Sequence, residues 1–136
     1  MSAGYSGTPL VRKLGIKPRA RLALLAAPDG FDETLGELPG DVSVRRDARA
    51  QADVIVAFVT RRAELERRLP ALRRSLDVAG GLWIAWPKRA SGVSTDVSEN
   101  VVRELGLAAG LVDNKVCAID DVWSGLRLVY RLRDRA

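Results

Sequence analysis

ADVIVAFVTRRAELERRLPALRRSLDVAGGLWIAWP, residues 52–87, decides the fold. ADVIVAFVT at 52–60 is an unbroken apolar run of strand length, the pattern of a strand covered on both faces. From Thr60 the spacing turns helical: Leu65, Leu69, Leu72 and Leu76 follow one another by four, three and four residues, and Glu64 stands four before Arg68. Pro70 predicts a kink in this helix or its division in two. Gly80 and Gly81 end it and lead into GLWIAWP, a second buried strand. A strand, a helix and a strand in succession imply parallel strands joined by a crossover.

Upstream, TPLVRKLG at 8–15 reads as a short helix with Thr8 as N-cap, Pro9 at the first helical position and Gly15 as terminator. RLALLAA at 21–27, bounded by Pro18 and Pro28, is another buried strand, and PDGFDETLGELPG at 28–40 is a turn with a short helix packing Phe31, Leu35 and Leu38. VSVR at 42–45 is a brief strand. Its link to residue 52 spans the return if extended but is too short for a crossover helix, which leaves the place of this strand open. Downstream, Asp96 and Glu99 form a capping box for a helix through VSENVVRELGLAA, with Val97, Val101, Val102, Leu105 and Ala108 on its apolar side. VDNKVCAID at 112–120 and GLRLVYRL at 125–132, joined by the short DVWS link, predict an antiparallel hairpin. The expected fold is α/β: a three-layer Rossmann-like sandwich, its sheet mainly parallel with a C-terminal antiparallel hairpin. It forms one domain over 1–136, with an N-terminal arm of about residues 1–8.

Composition narrows the function. No apolar run approaches the ~20 residues of a membrane span. The opening MSAGYSGTPLVRK lacks the apolar stretch and cleavage site of a signal peptide, and the single cysteine has no partner for an internal disulfide, so a cytoplasmic protein is expected. The net charge of +5 invites a nucleic-acid reading, but 18 of the 22 basic residues are Arg. Many fall in pairs at 61/62, 67/68 and 73/74 on the polar side of one helix, as on a solvated face. With two Tyr and no recognition signature, nucleic acid is not the expected partner. The chain has no histidine, which excludes Ser-His-Asp and Cys-His catalysis and His-based zinc sites. Chemistry would fall to Asp, Glu, Lys, Cys, Tyr, Ser or a bound cofactor, and no motif specifies which cofactor.

Two resemblances add to this reading. Through AGYSGTPL, KLGIK, FVTRRAELE, LWIAWPK, SGVSTD and GLAAGLVDNKVCAIDDVWSGL, nearly the whole chain resembles a bacterial domain family of unknown function from high-GC Gram-positive bacteria, which implies no activity. Residues 53–132 resemble the second half of a class I methyltransferase domain: strand, helix, Gly-Gly turn into GLWIAWP, helix, closing hairpin. The first half departs from that pattern, because AAPDGFD stands where a glycine-rich GxGxxG would let the backbone approach a cofactor. Asp47 is near the place of the acidic residue that would hold a ribose. The resemblance implies a Rossmann-like fold that has lost or replaced its S-adenosylmethionine site.

The loop WPKRASGVSTD follows a buried strand, so it lies at the carboxyl edge of the sheet, where open α/β folds place ligands. Trp86, Lys88, Arg89, Ser91, Ser94, Thr95 and Asp96 are the candidate ligand-binding residues. Backbone N–H groups around Thr95–Ser98 favour negative charge, and Lys88 or Arg89 supplies a cation for an anionic small molecule. A purely structural reading stands beside this one: Ser94, Thr95 and Asp96 suit a helix cap, Ser91 and Gly92 suit a turn, and Asp96 repels phosphate. The loop is no Walker motif. Asp29, Asp32 and Glu33 offer a general base or divalent-metal ligands, but helix-start preference explains them equally, and no metal site is assigned. Cys117 in KVCAI reads as a structural thiol. Trp83 and Trp86, three apart on one strand, point to opposite faces, with Trp86 placed to wall a pocket and Trp123 to brace the hairpin turn. Tyr5, Ser6 and Thr8 belong to the arm. Three functions are compatible: a domain binding an anionic small molecule, a diverged methyltransferase-like group-transfer enzyme, or a regulatory or protein-interaction module using the Arg-rich helix or a sheet edge.

Overall fold

A computed structural model describes residues 7–135. The elements run α1 (Leu10–Lys13), β1 (Arg21–Leu25), α2 (Phe31–Leu35), β2 (Ser43–Arg45), β3 (Ala52–Phe58), α3 (Arg62–Ser75), β4 (Leu76–Pro87), α4 (Glu99–Ala108), β5 (Leu111–Ala118) and β6 (Trp123–Tyr130). They build one six-stranded sheet in the order β2-β1-β3-β4-β6-β5, with β2, β1, β3 and β4 parallel and β6 antiparallel to both β4 and β5. The three-layer α/β architecture with its terminal hairpin is the one the sequence predicts. The arm, with Tyr5 and Ser6, lies outside the described residues apart from Gly7 and Thr8.

The open question of the 42–45 strand resolves into a parallel β2 pairing with β1. Residues 46–51 cross over β1 without a helix to start β3, and they are pinned to the end of α3: the Ser75 hydroxyl donates to the Ala48 carbonyl, and Gln51 Nε2 to the Arg74 carbonyl at 3.1 Å. Ser75 is buried, so that bond satisfies a hydroxyl held away from water.

Each face of the sheet has its own apolar layer. On one, Leu65, Leu69 and Leu72 of α3 and Val102 of α4 pack on Ile55, Ala57, Leu82, Ile84 and Trp86. On the other, Leu14, Ile16, Phe31 and Leu35 pack on Val56, Phe58 and Trp83. Strand parity thus sends Trp83 and Trp86 to opposite layers, as expected. Trp83 is fully buried, and its indole Nε1 donates to the Leu14 carbonyl at 3.0 Å, which fastens α1 to the sheet.

Several boundaries differ from expectation for visible reasons. Pro70 does not divide α3, which is one helix over Arg62–Ser75 with the ring exposed to solvent. β4 begins at Leu76, before the Gly-Gly pair, and its pairing with β3 is irregular between Ala52 and Val54. Gly80 is required there because a Cβ would stand 2.5 Å from the Asp53 carbonyl oxygen. β1 stops at Leu25 because Ala26 takes φ +57°, the left-handed region. Pro9, not Thr8, is the residue flanking α1, and its carbonyl accepts from the N–H groups of Arg12 and Lys13. Trp123 and Ser124 belong to β6, so the hairpin turn is 119–122, closed by the Asp120 carboxylate accepting from the Val122 and Trp123 N–H groups at 2.8 Å. Trp123 braces this end edge-to-face on Phe58, 5.0 Å between ring centroids.

At the opposite end of the sheet, Arg21 closes on Asp53 at 2.8 Å and 3.1 Å through its side chain and at 2.7 Å through its backbone N–H. The Arg21 hydrogen bonds hold the Asp53 carboxyl below its ordinary value of 3.8 against the opposing effect of partial burial. A depressed folded-state pKa adds stability that is present above the unfolded value and lost as pH falls through the folded one. Asp53→Asn should therefore narrow its stability deficit against wild type as pH drops below 3.8, in urea unfolding across an acid series. Trp83→Phe, which leaves the Leu14 carbonyl without its donor, should lower unfolding free energy by about 1–3 kcal/mol. An unchanged urea midpoint would show that the indole bond does not hold α1.

Candidate functional site

β1, β3 and β4 are parallel and deliver the turns after Leu25, Phe58 and Pro87 to one edge of the sheet. The order reverses at β1, with β2 on one side and β3 on the other, so the switch point of the sheet lies between β1 and β3. Among the described residues, two concavities at this edge concern the site. One, of ≈ 320 Å³, lies between the end of β1, the start of the 46–51 link and α3, lined among others by Leu25, Ala26, Asp47 and Arg68. The other, of ≈ 540 Å³, sits at the end of β4 and is lined by Trp86, Pro87, Arg89 and Gly92–Ser98.

The cleft at β4 gathers five of the seven candidate residues: Trp86, Arg89, Ser94, Thr95 and Asp96. Lys88 and Ser91 are not in its lining. The Lys88 backbone N–H is tied to the Val122 carbonyl at 2.7 Å, and Ser91 folds back, its hydroxyl donating to the Lys88 carbonyl at 2.7 Å and accepting from the Val93 N–H at 3.2 Å. Ser91 thus builds the turn, as the structural reading of the loop has it. Gly92 takes φ +78° to close that turn, and its position borders the cleft.

Thr95 and Asp96 line the cleft while holding its floor to the next turn. The Thr95 hydroxyl donates to the Thr60 carbonyl at 2.7 Å and accepts from the Val97 N–H at 3.0 Å. Asp96 Oδ1 accepts from the Arg62 N–H at 2.7 Å, so its carboxylate caps α3 from outside, at the helix end where the dipole favours negative charge. The expected Asp96–Glu99 capping box does not form. Ser98 is the N-cap of α4, accepting from the Val101 N–H at 3.3 Å, because residues 94–97 run beside the β3–α3 turn before the helix begins. Glu99 instead meets Arg103 at 2.6 Å, and Arg103 reaches on to Asp113 at 3.1 Å, tying α4 to β5.

Trp86 is 7% exposed and forms the apolar wall of the cleft. Arg89 is exposed and makes no ion pair among the described residues, so its guanidinium is available at the mouth. The first N–H groups of α4 have no intrahelical acceptor and lie next to Ser98 on the lining. Pro87, Gly92, Val93, Val97 and Ser98 complete the cleft; of these, sequence pointed to Val97 and Ser98 only through the backbone at the helix start, and nothing in it marked Val93.

The other candidates disperse. Asp32 pairs with Arg46 at 3.2 Å on the surface, while Asp29 and Glu33 are exposed. Among the described residues no group of three or more Cys, Asp or Glu could hold a metal ion. Cys117 is half-buried; desolvation pushes its thiol pKa up, with Lys13 and Lys115 pulling the other way. Asp47 lines the smaller concavity, with Oδ1 accepting from the Arg49 N–H at 3.1 Å. Among the described residues no helix is long and apolar enough to cross a membrane.

No family model and no curated protein matches the chain. Solved structures do. The chain is similar to a SAM-dependent methyltransferase from Aquifex aeolicus, with TM-score 0.62 and 15% identity over 92% of this chain and 89% of that one. It is similar also to the ribosomal protein L11 methylase from Lactobacillus delbrueckii subsp. bulgaricus, with TM-score 0.61 and 12% identity over 90% and 75%. Aeropyrum pernix fibrillarin, solved with natively bound S-adenosyl-L-methionine, matches with TM-score 0.55 and 17% identity over 93% and 70%. At such identities the likeness establishes the fold, a methyltransferase-like Rossmann sandwich.

Asp96→Ala removes the outside cap of α3 and should lower unfolding free energy by about 0.5–2 kcal/mol, the range for lost N-caps. Thr95→Val should also destabilise, by freeing the loop from the Thr60 carbonyl. Urea midpoints equal to wild type in both variants would show that the loop is not anchored through these bonds.

Proposed function

We propose that this methyltransferase-fold chain binds an anionic small molecule in the cleft at the carboxyl end of β4. The observation that supports this most is the ≈ 540 Å³ concavity walled by Trp86, with the exposed Arg89 guanidinium beside it. Arg offers a planar fork for a phosphate or carboxylate, and the free N–H groups at the start of α4 add donors of the same sign. Asp96 does not oppose such a ligand as strongly as its charge suggests, because one oxygen is already bonded at the end of α3.

S-adenosylmethionine is the ligand that the fold brings to mind, and the turn after β1 does not fit it as a glycine-rich cradle would. Ala26 and Pro28 stand where glycines let the backbone approach a ligand, and proline has no N–H to donate. The cavity there is lined by Arg46 and Arg68, each paired with a carboxylate, and by Asp47. The likeness to solved methyltransferases, together with Asp47 on the lining of this cavity, favours a second reading, a diverged methyltransferase-like group-transfer enzyme.

Thermal-shift titration with inorganic phosphate, AMP and a sugar phosphate tests the main reading, since a ligand that binds only the folded chain raises its melting temperature. At least one of these anions should stabilise wild type, and Arg89→Ala should weaken that binding by roughly tenfold, the scale of a ~1.4 kcal/mol charge-assisted contact. Lys88→Ala should leave it within a factor of about two, since that side chain is not on the lining. No shift with any of the three, or equal shifts in the Arg89 variant, would overturn the assignment. Calorimetry with S-adenosylmethionine separates the second reading: binding lost in Asp47→Ala would favour it, and the main reading expects no heat.

A further inference from the structure

The excess positive charge of this chain resides at its two ends. Residues 1–28 hold five cations, Arg12, Lys13, Lys17, Arg19 and Arg21, and no carboxylate, and residues 122–136 hold four arginines against Asp134. Between them, 13 cations stand against 16 carboxylates, a net of −3. The fold brings the two ends together. Leu14 and Ile16 pack in the same layer as Trp83, and Lys115 of β5 donates to the Lys13 carbonyl at 3.4 Å. In register, Trp83 and Lys115 flank Arg127 of β6 on either side.

Arg127 is the unusual member of this face. Its guanidinium lies flat over Gly81, where a Cβ would stand 2.2 Å from Nε and 2.6 Å from Cζ, so the glycine makes room for it. Burial holds its pKa below the ordinary guanidinium value, and the nearby Arg135 adds to the effect. Arg68 is paired with Glu64 at 3.2 Å and Arg103 with Glu99 and Asp113, while Arg73, whose buried Nε has no hydrogen-bond partner among the described residues, lies over the Tyr130 ring at 5.0 Å. Arg127 has no carboxylate partner among the described residues, and its nearest charged neighbour is another cation. A desolvated cation without a counter-charge is unfavourable, and the attraction of an incoming carboxylate offsets both the lost hydration and the repulsion.

We infer that this face, centred on Arg127 with Arg135 and Lys115, docks an acidic segment of a protein partner. Charge complementarity identifies the chemistry of the occupant, with a carboxylate closing on the guanidinium fork of Arg127 and others on its exposed neighbours. Nucleic acid fits less well. The aromatic rings of this layer are occupied, Trp83 fully buried and Trp123 packed on Phe58, and α1, at four residues, is too short to enter a groove. The surface lies apart from the β4 cleft, so the inference stands whatever that cleft binds.

The test is fluorescence anisotropy with the full chain and three labelled probes: a Glu-rich peptide, its Gln-rich counterpart and a nucleic-acid duplex, at low and at physiological ionic strength. The Glu-rich peptide should bind and the Gln-rich one should not. Arg127→Gln should weaken peptide binding by roughly tenfold or more, with Arg127→Lys intermediate because it keeps the charge and loses the fork. Arg135→Glu and Lys115→Glu, both exposed, carry the same test should Arg127→Gln fail to fold, and each should weaken binding. Arg89→Ala should bind the peptide as wild type does. Peptide binding indifferent to all of these charge changes, absence of peptide binding, or tighter binding of the duplex would overturn the inference.

Discussion

The structure depends on β4 being buried on both faces at once. Every residue from Gly80 to Pro87 is buried, and the strand carries a tryptophan into each apolar layer. A parallel strand in that position must be apolar throughout, since neither face reaches water. Trp83 fixes the position of α1 through its indole bond to Leu14, and Trp86, on the other face, packs with the α3 and α4 layer and ends at the cleft. The central strand is therefore at once the support of both helical layers and the element that positions the candidate site.

That dual role explains why the fold was legible in the sequence to the extent it was. Runs such as ADVIVAFVT and GLWIAWP carry their burial in their composition, and the leucine spacing of α3 needs no partner to be recognised. Leu65, Leu69, Leu72 and Leu76 are all buried, and Glu64 does pair with Arg68. What sequence could not show are contacts whose two halves lie far apart. Asp96 caps α3, 34 residues upstream, and not the helix that follows it. Local pattern assigns such a residue to the nearest helix, because a carboxylate shortly before a helical run looks the same whichever helix end it meets. The strand β5 shows the same limit: its pairing shifts between Asp113 and Lys115, which puts Asp113 against Arg103 of α4 and Lys115 on the α1 side. Simple alternation would have kept the two together.

The candidate site shows how much of a suggestive loop is structural. Of its hydroxyls and carboxylates, those of Ser91, Thr95 and Asp96 are bonded to backbone within the loop or across to the β3–α3 turn. These bonds hold the loop open as a rim. They leave Arg89 and Ser94 as the side chains on the lining without a bond of this kind. A cation and backbone donors beside an apolar wall suit recognition of an anion better than proton transfer.

The methyltransferase-like fold sharpens this point. In open α/β sheets the switch point is the favoured ligand position, and in this chain it lies between β1 and β3. Ala26, held at φ +57° without being glycine, marks the turn as one that still bends where a cradle would bend. Beside it stands Pro28, which has no N–H to donate, and the β2–β3 link crosses without a helix, bringing Arg46 and Asp47 to the lip of the cavity. The open volume at β4 is the larger of the two described at this edge.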